Sequence, residues 1–528
     1  MTHHACTFAF ALAVALHPAT GFAQLKAFPQ AEGFGALATG GRGGAVYHVT
    51  NLNNSGTGSF RDAVSQPNRT VVFNVGGVIN ISSQIAFSNN LTIAGQTAPG
   101  GIAVYGHGVS LSNRNNIIVR SMTFRASIGT SETIKTVNMT TTANAILDHV
   151  SIGWGRYDNF GITANAHDIT LQNSLIHEAI NNQRAGGFID SSRSITLARN
   201  LFINNQTRNP KGKADLQFIN NVIYNWRVAG YVGGHSSAPW YQDLINNYFI
   251  AGPSQQGDYL ADFNANDRVY HLGNRIDDDK IDTGGDGLPE GRNIDTNKFN
   301  NIGATVMPTA YNNPTIPVDV MTSLEAFQWA VDRAGNSLHR DSADQRQITH
   351  LRSLGTQGYI PADESQVGGM PTWTGGVAPP DNDADGMSND FELRHGLNVN
   401  DPADRNLTTL SPVGYTNLEV YLNSLMAPLY PAELAGDFNH DNQVDGADLT
   451  AWAAGFGAAT SATHMAGDAD SDQDVDGADF LQWQRQLGAS AASAAQTATT
   501  VPEPMAVLQM AVAAVIIGAD RRGLFFHR

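Results

Sequence analysis

Three stretches of this chain place oxygen-bearing side chains at the alternating spacing with which a protein loop encloses a hard cation. In DNDADGMSNDFE, Asp381, Asp383 and Asp385 occupy loop positions one, three and five, Gly386 makes the sharp turn, and Asn389 and Glu392 stand at nine and twelve. Carboxylates in that register suit calcium, which prefers oxygen ligands in a flexible shell. Two further stretches, GDFNHDNQVDGADLTAWAAGFG and GDADSDQDVDGADFLQWQRQLG, are copies of one unit. The first offers Asp437, Asn439, Asp441, Asp445 and Asp448, and the second offers Asp468, Asp470, Asp472, Asp476 and Asp479. Each loop runs into a helical pattern carrying Leu449 and Trp452, or Phe480 and Trp483. Ca2+ is therefore the expected cofactor. Cys6 is the one cysteine, in a leader expected to be removed, so disulfides and thiol nucleophiles are excluded. A formal net charge of −17 argues against a nucleic-acid partner. It also means that an acidic polymer would have to meet a local basic patch or bridging cations.

Most of the chain must serve as scaffold. With 528 residues, 53 of them glycine, and only 15% charged, it reads as many short strands between tight turns. Strings such as NNIIVRSMTF, NAILDHVSI, HDITLQNSLI, RSITLARNLF and DLQFINNVIY recur, with Ile169 and Ile195, then Ile219 and Ile245, 26 residues apart. A repeat of that length means stacked supersecondary units. The expected fold is all-β, a right-handed parallel β-helix whose coils bury Ile, Leu and Val. Asn173, Asn200, Asn221, Asn247 and Asn274 are expected to stack as structural ladders. Between Asp319 and Leu354 the spacing changes to helical, with Leu324, Phe327, Ala330 and Val331 on one face and a second helix near Gln345 to Leu351.

The ends read as processing signals. Residues 1–23 carry an apolar run from Phe8 to Leu16 and small residues Gly21 and Ala23 before Gln24, a secretion signal. The β-helix is expected over 24–365, a linker with an EF-hand-like calcium loop over 366–430, the duplicated calcium-loop domain over 431–488, and an Ala/Ser/Thr-rich linker over 489–500. In 501–528, Val501-Pro502-Glu503-Pro504, an apolar stretch and Arg521-Arg522 resemble a PEP-CTERM sorting signal. That resemblance implies sorting machinery at the tail and a secreted or cell-surface protein exported through a Gram-negative-type envelope. The duplicated loops resemble dockerin units, which implies a cohesin-like partner.

The strings AFPQAEGFGALATGGRGGAVYHVTNLNNSGTGSFRDAV, IAGQTAPGGIAVYG, ILDHVSIGW, RNLFINNQTRNP, FINNVIYNW and HRDSADQR occur in the order found in bacterial pectate lyases of polysaccharide lyase family 1. The resemblance spans about 27–360. It implies a parallel β-helix that cleaves polygalacturonate or pectin by calcium-assisted β-elimination, with Arg208 of Arg208-Asn209-Pro210 as the base. Lys211 and Lys213 would crowd that base with positive charge. Lys213 stands where the family often has a second arginine, and Arg184 is the cation nearest the usual catalytic lysine. Asp148-His149 matches the family's Asp-His pair, read as support beneath the cleft. Asp158 falls among the family's acidic calcium ligands. Lys135 occupies the place of another, so either Glu132 substitutes, or Lys135 itself supplies positive charge toward substrate, or the catalytic calcium is absent. A polygalacturonase-type hydrolase and a catalytically inactive carbohydrate-binding or adhesion β-helix are the alternatives.

Overall fold

The structure, a computed structural model, describes residues 24–430, 434–439, 443–460, 462–470, 472 and 474–489. The secretion signal, Asp441, nearly all of the 489–500 linker and the sorting tail lie outside those residues. The chain divides into a unit ending at Met426 and one beginning at Ala427.

The first unit is a parallel β-helix of about nine turns. Each coil contributes strands to three faces. Val137–Thr140, Asp158–Thr163, Tyr231–Val232 and Leu260–Ala261 lie on the first face. The second face stacks Leu91–Ala94, Asn115–Arg120, Ala143–Asp148, His167–Gln172, Trp240–Ile245 and Asp267–Leu272. Ala185–Ala198 and Lys211–Ile219 run across both of these faces, with register shifts between Asp190 and Ile195 where they bend. The third face is a ladder from Gly77–Asn80 to Arg275–Asp277, ended by the antiparallel strand Arg292–Asn293.

The register follows from burial. Ile169 pairs with Ile195 and Ile219 with Ile245, as the 26-residue spacing requires. Ile169 and Ile195 are fully buried among Leu, Val and Phe of neighbouring coils. Burying each such side chain stabilises by roughly 1.5–3 kcal/mol. Between the second and third faces, the coils from Asn115–Arg120 onward turn on one left-handed residue each: Ser121, His149, Asn173, Arg199, Asn220, Asn246 and Gly273. The next position carries the ladder. Asn221 Oδ1 accepts from the Asn200 backbone N–H (3.0 Å), Asn247 Oδ1 from Asn221 (2.9 Å), and Asn274 Oδ1 from Asn247 (3.0 Å). Asn200 Oδ1 continues it to Ser174. Asn173, expected in this ladder, instead occupies the left-handed bend one residue earlier, where short polar side chains tolerate positive φ.

Two faces are covered. Helices Ser323–Arg333 and Ser342–Arg352 lay Phe327, Ala330, Ile348 and Leu351 over Leu175, Leu201, Val222 and Tyr248 of the third face. Arg125 is gripped there by Asp341 and Asp344, and Glu178 by Arg346 (2.8 Å). The N-terminal segment packs Ala27, Phe28, Ala36 and Ala38 against Ile118 and Ile146 on the second face. Residues 366–426 are not a mere linker. They hold helices Asn389–His395 and Asn417–Ser424, whose Phe391, Leu418, Tyr421 and Leu422 bury Val72 and Ala94 of the early coils.

The second unit contains helices Gly446–Gly455 and Gly477–Gln486 in a near-symmetric exchange. Trp452 Nε1 donates to the Asp476 carbonyl (3.0 Å) and Trp483 Nε1 to that of Asp445 (2.9 Å).

Candidate active site on the first face

The contacts of the N-terminal segment and of the helices fall on the second and third faces, which leaves the first as the face where side chains can meet a long ligand. Its outward positions follow from strand alternation. Phe188 pairs with Lys211 and Asp190 with Lys213, while Ile189 points into the core. Arg208 sits just before this strand on a left-handed bend (φ 54°), so its side chain leaves the coil toward the same surface.

Arg208 is held on several sides. Its Nη1 donates to Asp158 Oδ1 at 3.1 Å. The rings of Tyr157 and Phe188 lie 5.6 and 5.2 Å from its guanidinium carbon. With the Gln183 amide turned to satisfy both partners, its oxygen accepts from Arg208 Nη1 at 2.8 Å. The guanidinium is thus aimed while remaining 19% exposed. Asp158 is fully buried, and burial pushes its carboxyl up to about 6 even though Arg208 and then Lys135 pull it down. Lys213 Nζ lies 3.2 Å from Asp190 Oδ1, so Asp190, isolated in the sequence, is not isolated in the fold. Burial, then the charges of Arg208 and Lys213, lower the Lys211 ammonium from its ordinary value. The Lys135 stem lies against Gly161 on the adjacent strand, with Nζ 5.9 Å from the Tyr157 ring. Lys135, Arg208, Lys211 and Lys213 therefore form a cationic patch on a chain that is acidic overall.

Other expected site residues lie elsewhere. Arg184 donates to the carbonyls of Asn181 (2.7 Å) and Ile360 (3.2 Å), fastening the coil to a later segment. Glu132 is 70% exposed beside Arg156 and is not brought to Asp158. Among the described residues, groups of three or more carboxylates with oxygens within 4.8 Å of one another occur only in 381–404 and 468–479. Asp158 and Asp190 on the first face are each paired with a cation and belong to no such convergent group, so the described side chains there do not by themselves enclose a groove calcium. Asp148 and His149 are both fully buried. Asp148 accepts from Arg120 Nε (3.0 Å), Gln172 Nε2 (3.1 Å) and Asn173 Nδ2 (2.9 Å), and its Oδ1 lies 2.9 Å from His149 Nδ1.

In the acidic loop, Asp381 Oδ2 accepts from the Gly386 N–H and Asp385 Oδ1 from Met387. Asn389 Oδ1 accepts from the N–H of Asn382, within the same loop, at 2.9 Å. Asp404, which the loop pattern could not reveal because it lies beyond the loop, joins Asp385 and Glu392. Burial and the surrounding carboxylates push Asp385 and Glu392 up to about 7. In the last unit Asp468, Asp470 and Asp479 converge, as do Asp474, Asp476 and Asp479. Asp448 and Asp479 also accept from backbone N–H groups of Asp445 (2.8 Å) and Asp476 (2.7 Å). Asp472 accepts from Asp474 N–H, and Asp437 and Asn439 lie in the corresponding first-copy loop.

Fold and site together define a parallel β-helix protein with an open cationic face. No family model matches the chain. Among curated proteins, a probable pectate lyase C of Aspergillus fumigatus is 43% identical over 408 residues, covering 77% of this chain and 95% of the relative. Its counterpart in Emericella nidulans is 42% identical, with 77% and 94% covered. The chain belongs to the pectate lyase family and is a polysaccharide lyase. Solved structures with a related outline include a thermostable pectate lyase (15% identity, TM-score 0.44, covering 60% of this chain and 99% of that one). Another is a pectate lyase of Bacillus sp. N165 in complex with trigalacturonate (16% identity, TM-score 0.40, 58% and 99% covered).

Proposed function

We propose that this enzyme cleaves a polygalacturonate-type acidic polysaccharide on its first face by β-elimination, with Arg208 taking the proton beside the uronate carboxylate. The observation that carries the reading is Arg208 itself, aimed outward by Asp158, Gln183 and two aromatic rings amid Lys135, Lys211 and Lys213. The reaction needs a base at that carbon, positive charge on the carboxylate to acidify it, and a proton for the leaving oxygen. The C–H bond breaks toward the guanidine nitrogen, a carbon–carbon double bond forms, and the adjacent glycosidic C–O bond breaks. The departing oxygen takes a proton from solvent or from a neighbouring ammonium.

An ordinary guanidinium in water deprotonates only near 12.5, which at pH 8 corresponds to a cost of about 6 kcal/mol for the neutral form. A turnover of about 10 per second corresponds to a barrier of about 16 kcal/mol. An arginine base is therefore affordable on energetic grounds. Lys211 and Lys135 are suited to the uronate carboxylate, doing locally what the acidic chain as a whole opposes. Asp148 and His149 act as support. A hydrolase is disfavoured because Asp158 and Asp190, the carboxylates within this patch, are each tied to a cation rather than free to act as an acid and base pair.

The secretion signal, the sorting tail and a cohesin-like docking partner belong to this reading as an exported enzyme, although the curated relatives named above are fungal. The test is ultraviolet detection of unsaturated product from polygalacturonate with wild type and Arg208→Ala, in calcium and in chelator. Product that vanishes in the folded variant supports the reading. Product retained by Arg208→Ala refutes the assigned base, and no product from any uronate polymer refutes the substrate class.

A further inference from the structure

The acidic cluster in 381–404 is built differently from a solvated loop. Asp385 and Glu392 are fully buried and Asp404 is 6% exposed. Both oxygens of Glu392, both of Asp383, Oδ2 of Asp385 and Oδ1 of Asp404 are buried without a hydrogen-bond partner. An unpaired buried carboxylate is among the least tolerable features of a protein interior, since its desolvation goes uncompensated. Two overlapping groups, Asp381 with Asp383 and Asp385, and Asp385 with Glu392 and Asp404, bring their oxygens within 4.8 Å. That separation is what oxygens at about 2.3–2.6 Å from a shared cation would have. The donors are all hard oxygens, with no histidine or thiolate, which selects calcium over zinc.

The cluster's position gives it a purpose. His48 Nε2 lies 3.1 Å from the Ala384 carbonyl, between two of the acidic residues. A Cβ at Gly386 would fall 3.1 Å from Val46 Cγ1 and 3.5 Å from Val72 Cγ1, so the loop's turn rests on the first coils. Glu392 belongs to helix Asn389–His395, and the Asp404 carbonyl accepts from Asn417 Nδ2 at the start of helix Asn417–Ser424. That second helix reaches back to the coils through Glu419 with Arg42 (2.6 Å) and Asn423 with Arg120 (2.9 Å). The residues of one cluster thus join a loop and two helices that together cover Val72 and Ala94.

We infer that Asp381, Asp383, Asp385, Glu392 and Asp404 bind one calcium ion that clasps segment 381–426 onto the N-terminal coils of the β-helix. The ion neutralises carboxylates that otherwise repel one another in the interior, so its loss loosens the segment and frays the strands Ala45–Val49 and Arg69–Phe73 beneath it. This role is independent of the chemistry on the first face.

The test uses the full chain without polysaccharide: calcium titration by calorimetry, thermal unfolding, and hydrogen exchange, for wild type, Glu392→Gln, Asp404→Asn and, as a control in the last unit, Asp479→Asn. Glu392→Gln and Asp404→Asn should each lose one calcium equivalent that Asp479→Asn retains. In calcium both should melt below wild type. In chelator the order should reverse, because each substitution removes a buried charge that has no counter-charge, and a variant that simply failed to fold could not melt higher. Chelation of wild type should raise exchange in 45–49 and 69–73. Unchanged stoichiometry in both variants, the same melting order with and without calcium, or unaltered exchange in those strands would overturn the inference.

Discussion

Replacing Asp148 with asparagine separates a buried support from a catalytic acid. The substitution preserves the atoms and removes the charge. It leaves Arg120, 3% exposed and otherwise bonded to Asn423, without the carboxylate 3.0 Å away. Breaking a buried pair by removing one partner costs roughly 3–5 kcal/mol. With an unfolding entropy of about 2.1 cal/mol/K per residue over about 400 residues, that corresponds to a fall in Tm of roughly 4–6 °C. Burial works against the Asp148 charge, yet His149 and Arg120 outweigh it and hold the carboxyl well below the usual carboxylate range. A depressed folded value contributes stability that is present above the unfolded value near 4 and lost as pH falls through the folded one. Asp148→Asn should therefore be less stable than wild type at pH 7, with the gap narrowing in acid. The assay pairs denaturant unfolding at several pH values with kcat/KM measured well below the Tm, where the variant should stay within about threefold of wild type. A folded variant with unchanged Tm and a hundredfold loss of kcat/KM would refute the support role.

Arg208→Ala should lower the rate of unsaturated product formation by about a thousandfold, within the range for loss of a positioned base, while calorimetric affinity for polygalacturonate falls less than tenfold. Lys213→Arg should lower KM a few-fold with little change in kcat, because a guanidinium can grip a uronate carboxylate through two parallel hydrogen bonds where an ammonium cannot. Asp158 gives a pH signature of the opposite sign to that of Asp148. Its carboxyl is pushed up to about 6, so between pH 4 and 6 the folded state holds a proton that the unfolded state has released. Its contribution to stability should fall by about 3 kcal/mol as pH rises through that window, and the difference between wild type and Asp158→Asn in urea denaturation should track this fall.

What was legible in the sequence was whatever the coil repeats. Ile169 over Ile195 is a spacing, and spacing survives in one dimension. The asparagine ladder was legible except in phase. Asn173 resembles its neighbours by type, yet it sits at the bend where φ is positive rather than one residue later, where Asn200 and Asn221 receive backbone N–H groups. Composition cannot distinguish two adjacent positions that both favour asparagine. The partners of Arg184 were not legible for a related reason. Its place in IHEAINNQRAGG marked it as the cation nearest the family's usual lysine, but its left-handed bend and the carbonyls of Asn181 and Ile360 set where the guanidinium goes. Asp158 was recognised as an acidic site residue, but not that it would be the partner of Arg208, a contact fifty residues apart in the chain. Segment 366–426 looked like a linker because its glycines and prolines are local, while its anchors Arg42, His48 and Arg120 lie some three hundred residues earlier. Asp404's role was hidden because it lies beyond the loop pattern, which ends at Glu392. Its short run of sequence shows an ordinary turn, and only the fold sets its unpaired oxygen beside Glu392 and Asp385.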